Sequence, residues 1–307
     1  MRIAVIGAGG IGAILGASLA RAGTDVVFVA RGAHLAAMRD IGLRIESDRG
    51  DVEIPPDQAT DDIASIGIVD YVLFAVKLWD VESAGALLRP IVGPNTAVVP
   101  LQNGVDAAER LIAILGPQPV MGGTAFVTGS IVAPGVVRQT GTHQRITFGE
   151  IDRPTSERGE RLRDLCAAAG FEGVLSPDVM VPIWEKFIAL VPVAGLNALT
   201  RLPVGKWRTD PDLFALYQAV LCETDAVGRS EGVRLPADSI DRALALMWSM
   251  PDHLMASMGN DLLRGNRLEL PWLGAKVVEL GRRHGVPTPA NGFIFATLKP
   301  YVNGAPA

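Results

Sequence analysis

The stretch IAVIGAGGIGAILGASLA, Ile3–Ala20, decides the fold. It opens with an apolar run, Ile3–Ile6, that reads as a buried strand. It continues as a small-residue helix from Gly10 to about Ala22. Between them lies GAGGIG, which places Gly7, Gly9 and Gly12 in the spacing G-x-G-x-x-G. Alone that spacing describes any glycine-rich turn. Ending a strand and opening a helix, it describes a turn built for a dinucleotide. Gly7 permits the tight turn, Gly9 lets the backbone approach a pyrophosphate, and Gly12 lets the helix pack closely on the strand. The first-turn N–H groups around Gly10 and Ile11 then face the anion with the positive end of the helix dipole.

The second strand, VVFVA at Val26–Ala30, selects the nucleotide. Chains that bind NAD place an acidic residue about 20 residues past the glycines, where it holds the ribose 2′-hydroxyl. Here Arg31 follows the strand. A guanidinium matches a 2′-phosphate in charge and geometry, so the expected cofactor is NADPH. The bland alternative is a solvated surface arginine.

Beyond this unit, apolar runs alternate with helical segments. YVLFAVK (Tyr71–Lys77) and TAVVPLQN (Thr96–Asn103) are continuous apolar runs, as in strands covered on both faces. LRIES (Leu43–Ser47) and VEI (Val52–Ile54) form a hairpin excursion around DRGD. The order βαβα predicts a doubly wound, mostly parallel sheet. From Val120 to Gly149, glycines and β-branched residues predict short antiparallel strands that finish the first domain. Glu157–Ala169 is an amphipathic helix, and GVLSPD leads out of the domain. From about Asp178 the pattern is helical to the end, with prolines or glycines punctuating the segments. The expected division is a nucleotide-binding α/β domain over residues 1–177 and an all-α domain over 178–307.

The composition agrees with a soluble protein that needs no staples. Half of the 307 residues are hydrophobic and the formal net charge is −5. That balance gives no footprint for nucleic acid. The two cysteines, Cys166 and Cys222, form no CxxC and suit reduced thiols in the cytoplasm. The four histidines lack metal-ligand spacing, so no metal is expected. The chain enters a strand at Arg2 without a basic leader, so no signal peptide is expected. VMVPIWEKFIALVPVAGLNALTRL (Val179–Leu202) has membrane-like apolarity. Its prolines, Pro182 and Pro192, and its Glu185–Lys186 pair argue for a buried helix instead.

Polar residues in apolar surroundings are the site candidates. In open α/β sheets ligands sit beyond the carboxyl ends of the strands. Lys77 and Asn103 end two such strands. Read singly, one is a surface lysine and the other an Asn-Gly turn; beside a nucleotide loop, they read as a site. In a helix, Pro182, Lys186, Leu190 and Ala194 share one stripe, which gives Lys186 apolar neighbours. It either snorkels to water or pairs with an acid, or it is an ammonium with a depressed pKa that can give up a proton. Glu185 lies about 100° away on the wheel and is a poor partner. Glu269 reads equally as a site carboxylate and as a first-turn glutamate favoured by the helix dipole.

Taken together, GAGGIG, Arg31, Val76–Lys77, Gln102–Gly104, WEKF at Trp184–Phe187 and S-M-x-x-D…R-x-E…G over Ser257–Gly274 resemble the ketopantoate reductases (2-dehydropantoate 2-reductases). The resemblance covers nearly the whole chain. It implies a Rossmann-type domain followed by a helical domain like the C-terminal one of 6-phosphogluconate dehydrogenase, with the active site between them. It also implies NADPH-dependent reduction of 2-dehydropantoate to pantoate in pantothenate and coenzyme A biosynthesis. By position, Lys186 is the general acid and Glu269 the glutamate that organises the site. Asn103 and Lys77 lie near nicotinamide and substrate, Ser257 holds the substrate carboxylate, and Arg31 reads the cofactor phosphate. Many relatives carry asparagines one and two turns beyond the lysine, where this chain has Leu190 and Ala194. That departure points to a pocket for a less polar 2-keto acid as the alternative substrate. A retained fold that binds NADPH without turnover is a further alternative. A homodimer is compatible with the apolar helical half.

Overall fold

A computed structural model describes residues 1–306. The chain divides into two compact units, Met1–Pro182 and Ile183–Ala307.

The first unit starts with β1 (Arg2–Ile6), α1 (Gly10–Arg21), β2 (Asp25–Val29) and α2 (Gly32–Ile41). Then follow β3 (Leu43–Glu46), β4 (Val52–Ile54), β5 (Ala59–Thr60), β6 (Val69–Phe74), α3 (Val81–Ala86), β7 (Val92–Pro100) and α4 (Ala107–Leu115). Strands β5-β2-β1-β6-β7 form one sheet in that order, and every neighbour is parallel. Successive residues of a strand face opposite sides, and both sides are buried. Ile3 and Val5 of β1, with Tyr71 and Leu73 of β6, enter one core. Ala4 and Ile6, with Val72 and Phe74, enter the other. This two-sided burial is why these strands read as unbroken apolar runs.

The predicted short antiparallel strands are instead two long ones, β8 (Gly122–Ala133) and β9 (Val136–Gly149). They pair with each other along their length, through two register irregularities. They also organise a second sheet, β10-β9-β3-β4, in which β3 and β10 (Glu172–Leu175) run parallel to β9. The GVLSPD segment thus begins as a strand and does not simply lead out. The glycines mislead because they serve close packing rather than turns. A Cβ on Gly10 would lie 2.0 Å from the carbonyl oxygen of Gly129 in β8, so α1 meets that strand backbone to backbone.

Helix α5 (Glu157–Ala168) is tied to the residue just past β9 by a buried ion pair. Arg158 donates Nε and Nη2 to the two Glu150 carboxylate oxygens, each at 2.7 Å, and Nη1 to the Thr96 carbonyl at 3.3 Å. Burial alone would raise the Glu150 pKa, but hydrogen bonds from Arg158 and Ser156 and the charges of Arg158 and Arg153 bring it below the ordinary carboxylate range.

Chain order continues with α6 (Met180–Thr200), α7 (Val204–Trp207), α8 (Pro211–Ser230), α9 (Ser239–Ser249), α10 (Ser257–Leu263), α11 (Gly274–His284) and α12 (Pro289–Leu298). Helix α6 is long and apolar enough to cross a membrane, but it is mostly buried within the protein. Gly228 of α8 faces the Trp184 ring and Gly195 faces Ile294 of α12, so α6 is the post around which the second unit packs. Trp207 is fully buried and stacks on Tyr217, whereas Trp248 is half exposed beside the Arg208 guanidinium. The helical pattern expected from Asp178 onward is interrupted at Pro251–Ala256, a loop whose Leu254 and Asp252 carbonyls accept from the Val204 and Gly205 N–H groups, and helix resumes at Ser257.

Candidate functional site

The parallel sheet brings four of the predicted positions to one edge. Strands β1, β2, β6 and β7 point the same way, and their carboxyl ends lead into Gly7, Arg31, Lys77 and Asn103 respectively. The chain leaves β1 to one side for β2 and later returns to the other side for β6. Ligands bind at such a reversal in the strand order.

The glycine loop fits a pyrophosphate. Gly7 has φ of +98°, a conformation that favours glycine, and its N–H donates to the Val29 carbonyl at 3.0 Å. A Cβ on Gly12 would stand 2.2 Å from the Gly7 carbonyl oxygen, so the helix can seat on the loop only with glycine there. A Cβ on Gly9 would meet nothing within 4 Å, which leaves that backbone open to a ligand. Helix α1 has no side-chain cap and no acidic residue in its first turn, so the N–H groups at Gly10, Ile11 and Gly12 keep their positive potential.

Arg31 stands just before α2 with most of its side chain exposed, and its Nη2 lies 2.7 Å from the Asp80 carboxylate. Pairs this exposed contribute at most about 1 kcal/mol. So weak a contact leaves the Arg31 guanidinium available to a competing anion. Lys77 precedes a single 3-10 turn, with its ammonium 5.4 Å from the Trp79 ring centroid.

Gln102, part of the Gln102–Gly104 motif, has a structural role. It is buried, and its Nε2 donates to the Phe74 and Val76 carbonyls at 3.0 and 3.1 Å. It therefore clamps the turn that presents Lys77 beside the start of the Asn103 loop. A polar residue inside the apolar run TAVVPLQN is the signal that could have found it.

In the second unit Lys186 lies on α6, partly buried. Burial lowers its pKa to about 8, against the opposing pull of the Glu269 carboxylate. Glu185 points elsewhere, as the helical wheel predicts, and pairs with Arg242 at 3.2 Å. Glu269 is buried at the start of a 3-10 turn, and its side chain makes no cap hydrogen bond there. Glu269 lies outside the first turn of any α-helix, since α11 begins only at Gly274, so the helix dipole does not account for it. Ser257 is exposed at the first position of α10. Asn197 ties that point to α6. Its Oδ1 accepts from the Ala256 N–H at 3.0 Å and its Nδ2 donates to the Leu202 carbonyl at 2.7 Å.

Comparison with known proteins agrees along the whole chain. Residues 3–153 match the family described as ketopantoate reductase PanE/ApbA, and residues 178–302 match its C-terminal part. A 2-dehydropantoate 2-reductase of Mesorhizobium japonicum is 33% identical, with 97% of each chain covered. The crystal structure of a PanE/ApbA family ketopantoate reductase from Ralstonia eutropha JMP134 superposes with a TM-score of 0.90 at 33% identity, covering 98% of both chains. A ternary structure of D-mandelate dehydrogenase with NADH and anilino(oxo)acetate has the same TM-score, 0.90, at 18% identity over 98% of both chains, and shares the fold. The chain belongs to the ketopantoate reductase PanE/ApbA family, nicotinamide-dependent oxidoreductases that act on a CH–OH group.

Proposed function

We propose that this chain reduces 2-dehydropantoate to (R)-pantoate with NADPH, as a step toward pantothenate and coenzyme A. The observation that carries the reading is a lysine, Lys186, set on the apolar helix α6 within the field of the buried Glu269 carboxylate, where burial lowers its pKa to about 8. Such a group is protonated at neutral pH yet gives up its proton readily. Bound NADPH would supply the hydride. Lys186 stabilises the negative charge that grows on the carbonyl oxygen and then protonates it. Glu269 positions the lysine and a substrate hydroxyl. Ser257 holds the substrate carboxylate, and Lys77 and Asn103 orient nicotinamide and substrate. Residues 1–177 hold the cofactor and residues 178–307 supply the acid and the substrate contacts. The work takes place in the cytoplasm, where reduced thiols such as Cys166 and Cys222 persist.

The choice of NADPH rests on Arg31. Arg31→Ala is expected to raise the NADPH KM roughly 10–100-fold, the worth of a charge-assisted contact, and to leave the NADH KM unchanged. Equal losses for both cofactors in steady-state kinetics would remove Arg31 as the phosphate reader.

A second substrate reading has support of its own. Leu190 and Ala194 are apolar on the stripe that bears Lys186, and Asn197 cannot replace the missing amides because both ends of its side chain are engaged. A site that leaves substrate hydroxyls unpaired favours a less polar 2-keto acid. NADPH oxidation followed by absorbance with 2-dehydropantoate, against a panel of 2-keto acids, separates the two. Fastest kcat/KM on 2-dehydropantoate supports the first reading. Preference for an apolar keto acid supports the second. Tight NADPH binding with no turnover on any of them would leave a sensor. Size-exclusion chromatography with light scattering tests the expected homodimer.

A further inference from the structure

The imidazole of His34, in the first turn of α2, bridges two backbone groups of the first unit. Its Nε2 lies 2.9 Å from the carbonyl oxygen of Ala8, inside the glycine loop. Its Nδ1 accepts from the N–H of Gly135, at the β8–β9 turn, at 3.0 Å. A carbonyl can only accept and an amide N–H can only donate, so one neutral tautomer satisfies both, with the proton on Nε2. Burial lowers the His34 pKa, in keeping with that neutral form, although the Ala8 carbonyl pulls the other way.

Ala8 is held at both ends. Its N–H donates to the Val29 carbonyl at 3.0 Å, and its carbonyl accepts from His34. The carbonyl of Ala8 and the N–H of Gly9 belong to one planar trans peptide, in which they point in opposite directions. Fixing the carbonyl therefore fixes the N–H. Gly9 lines the one part of the loop where an added Cβ would touch nothing. Flanked by glycines, this peptide could otherwise rotate at little cost.

We infer that His34 is a positioning residue for the cofactor: by holding the Ala8 carbonyl, it turns the Gly9 N–H toward the dinucleotide pyrophosphate. The inference rests on the glycine loop binding a nicotinamide dinucleotide. Arg31 would discriminate between cofactors, because it faces a group that only NADPH carries. His34 acts on the pyrophosphate common to both, so its loss weakens NADPH and NADH by the same factor.

The test is fluorescence titration of NADPH and NADH into wild type, His34→Ala, His34→Asn and His34→Gln, with thermal melts of each. Glutamine keeps a donor near Nε2. Asparagine keeps only an acceptor near Nδ1 and so preserves the link to Gly135. The expected result is a Kd raised about tenfold for both dinucleotides in the alanine and asparagine variants, one hydrogen bond's worth. The glutamine variant should bind within about twofold of wild type. In kinetics the cofactor KM should rise while kcat at saturation holds. Unchanged affinity in both the alanine and asparagine variants overturns the inference, and a lowered melting temperature with unchanged affinity assigns His34 to structure alone. Wild type binding neither dinucleotide would instead overturn the cofactor reading, and this inference with it.

Discussion

Replacing Lys186 by alanine is expected to slow NADPH-dependent turnover by roughly 10²–10⁴ while NADPH still binds. The lysine lies on α6, in the helical unit, and the glycine loop on the sheet edge does not depend on it. Loss of a general acid should thus appear in kcat, with cofactor titration unchanged. The pH dependence gives a second readout. Lys186 must be charged to donate, and burial sets its pKa near 8, against 10.5 for a free lysine. Wild-type kcat should therefore fall with unit slope as pH rises through about 8. Stability should move the other way. Between the folded value, about 8, and 10.5 the unfolded chain binds more protons, so the fold gains stability as pH rises through that window. Near-normal turnover in Lys186→Ala, or a kcat flat to pH 10, would remove the acid role.

Glu150→Ala should destabilise the first unit by about 3–5 kcal/mol, since it leaves the Arg158 charge buried without its partner. For a unit of this size that lowers Tm by roughly 6–20 °C. Glu150→Leu combined with Arg158→Met removes both charges and should recover much of the loss. The acid limb has the sign of a depressed carboxylate: the contribution is present above the ordinary value of 4.5 and is lost as pH falls through the lower folded value. Calorimetry on the single and double variants decides it. A double variant no more stable than Glu150→Ala would mean that packing, rather than the stranded charge, dominates.

Much of this was legible along the chain. The parallel sheet announces itself because strands buried on both faces must be apolar throughout, as Ile3–Ile6 and Tyr71–Phe74 are. The glycine loop is legible because its spacing sits between an apolar strand and a small-residue helix, and one of its constraints acts on a neighbour a few residues away. That constraint is Gly12 against Gly7. The β8–β9 strands run longer than their glycines predict, because Gly129 answers to Gly10, more than a hundred residues earlier, rather than to a turn. Strand β10 is not visible in the local pattern because it pairs with β9, which lies on the far side of α5 in the chain. On residue chemistry alone Glu269 reads equally as a helix-start glutamate, since what distinguishes it is its burial and its field at Lys186.

By itself, then, the sequence determined the class of fold, the dinucleotide loop, the edge where the cofactor would lie and the odd lysine in an apolar helix. Those follow from local periodicity, backbone sterics and charge at fixed spacing. Only the tertiary structure decided which polar groups meet. It pairs Glu150 with Arg158, sets Gln102 under the Lys77 turn, brings Asn197 to Ala256 and lays His34 across Ala8 and Gly135. A buried polar group must find a partner, but folding is free to choose that partner from any distance along the chain, and no spacing in the sequence records the choice.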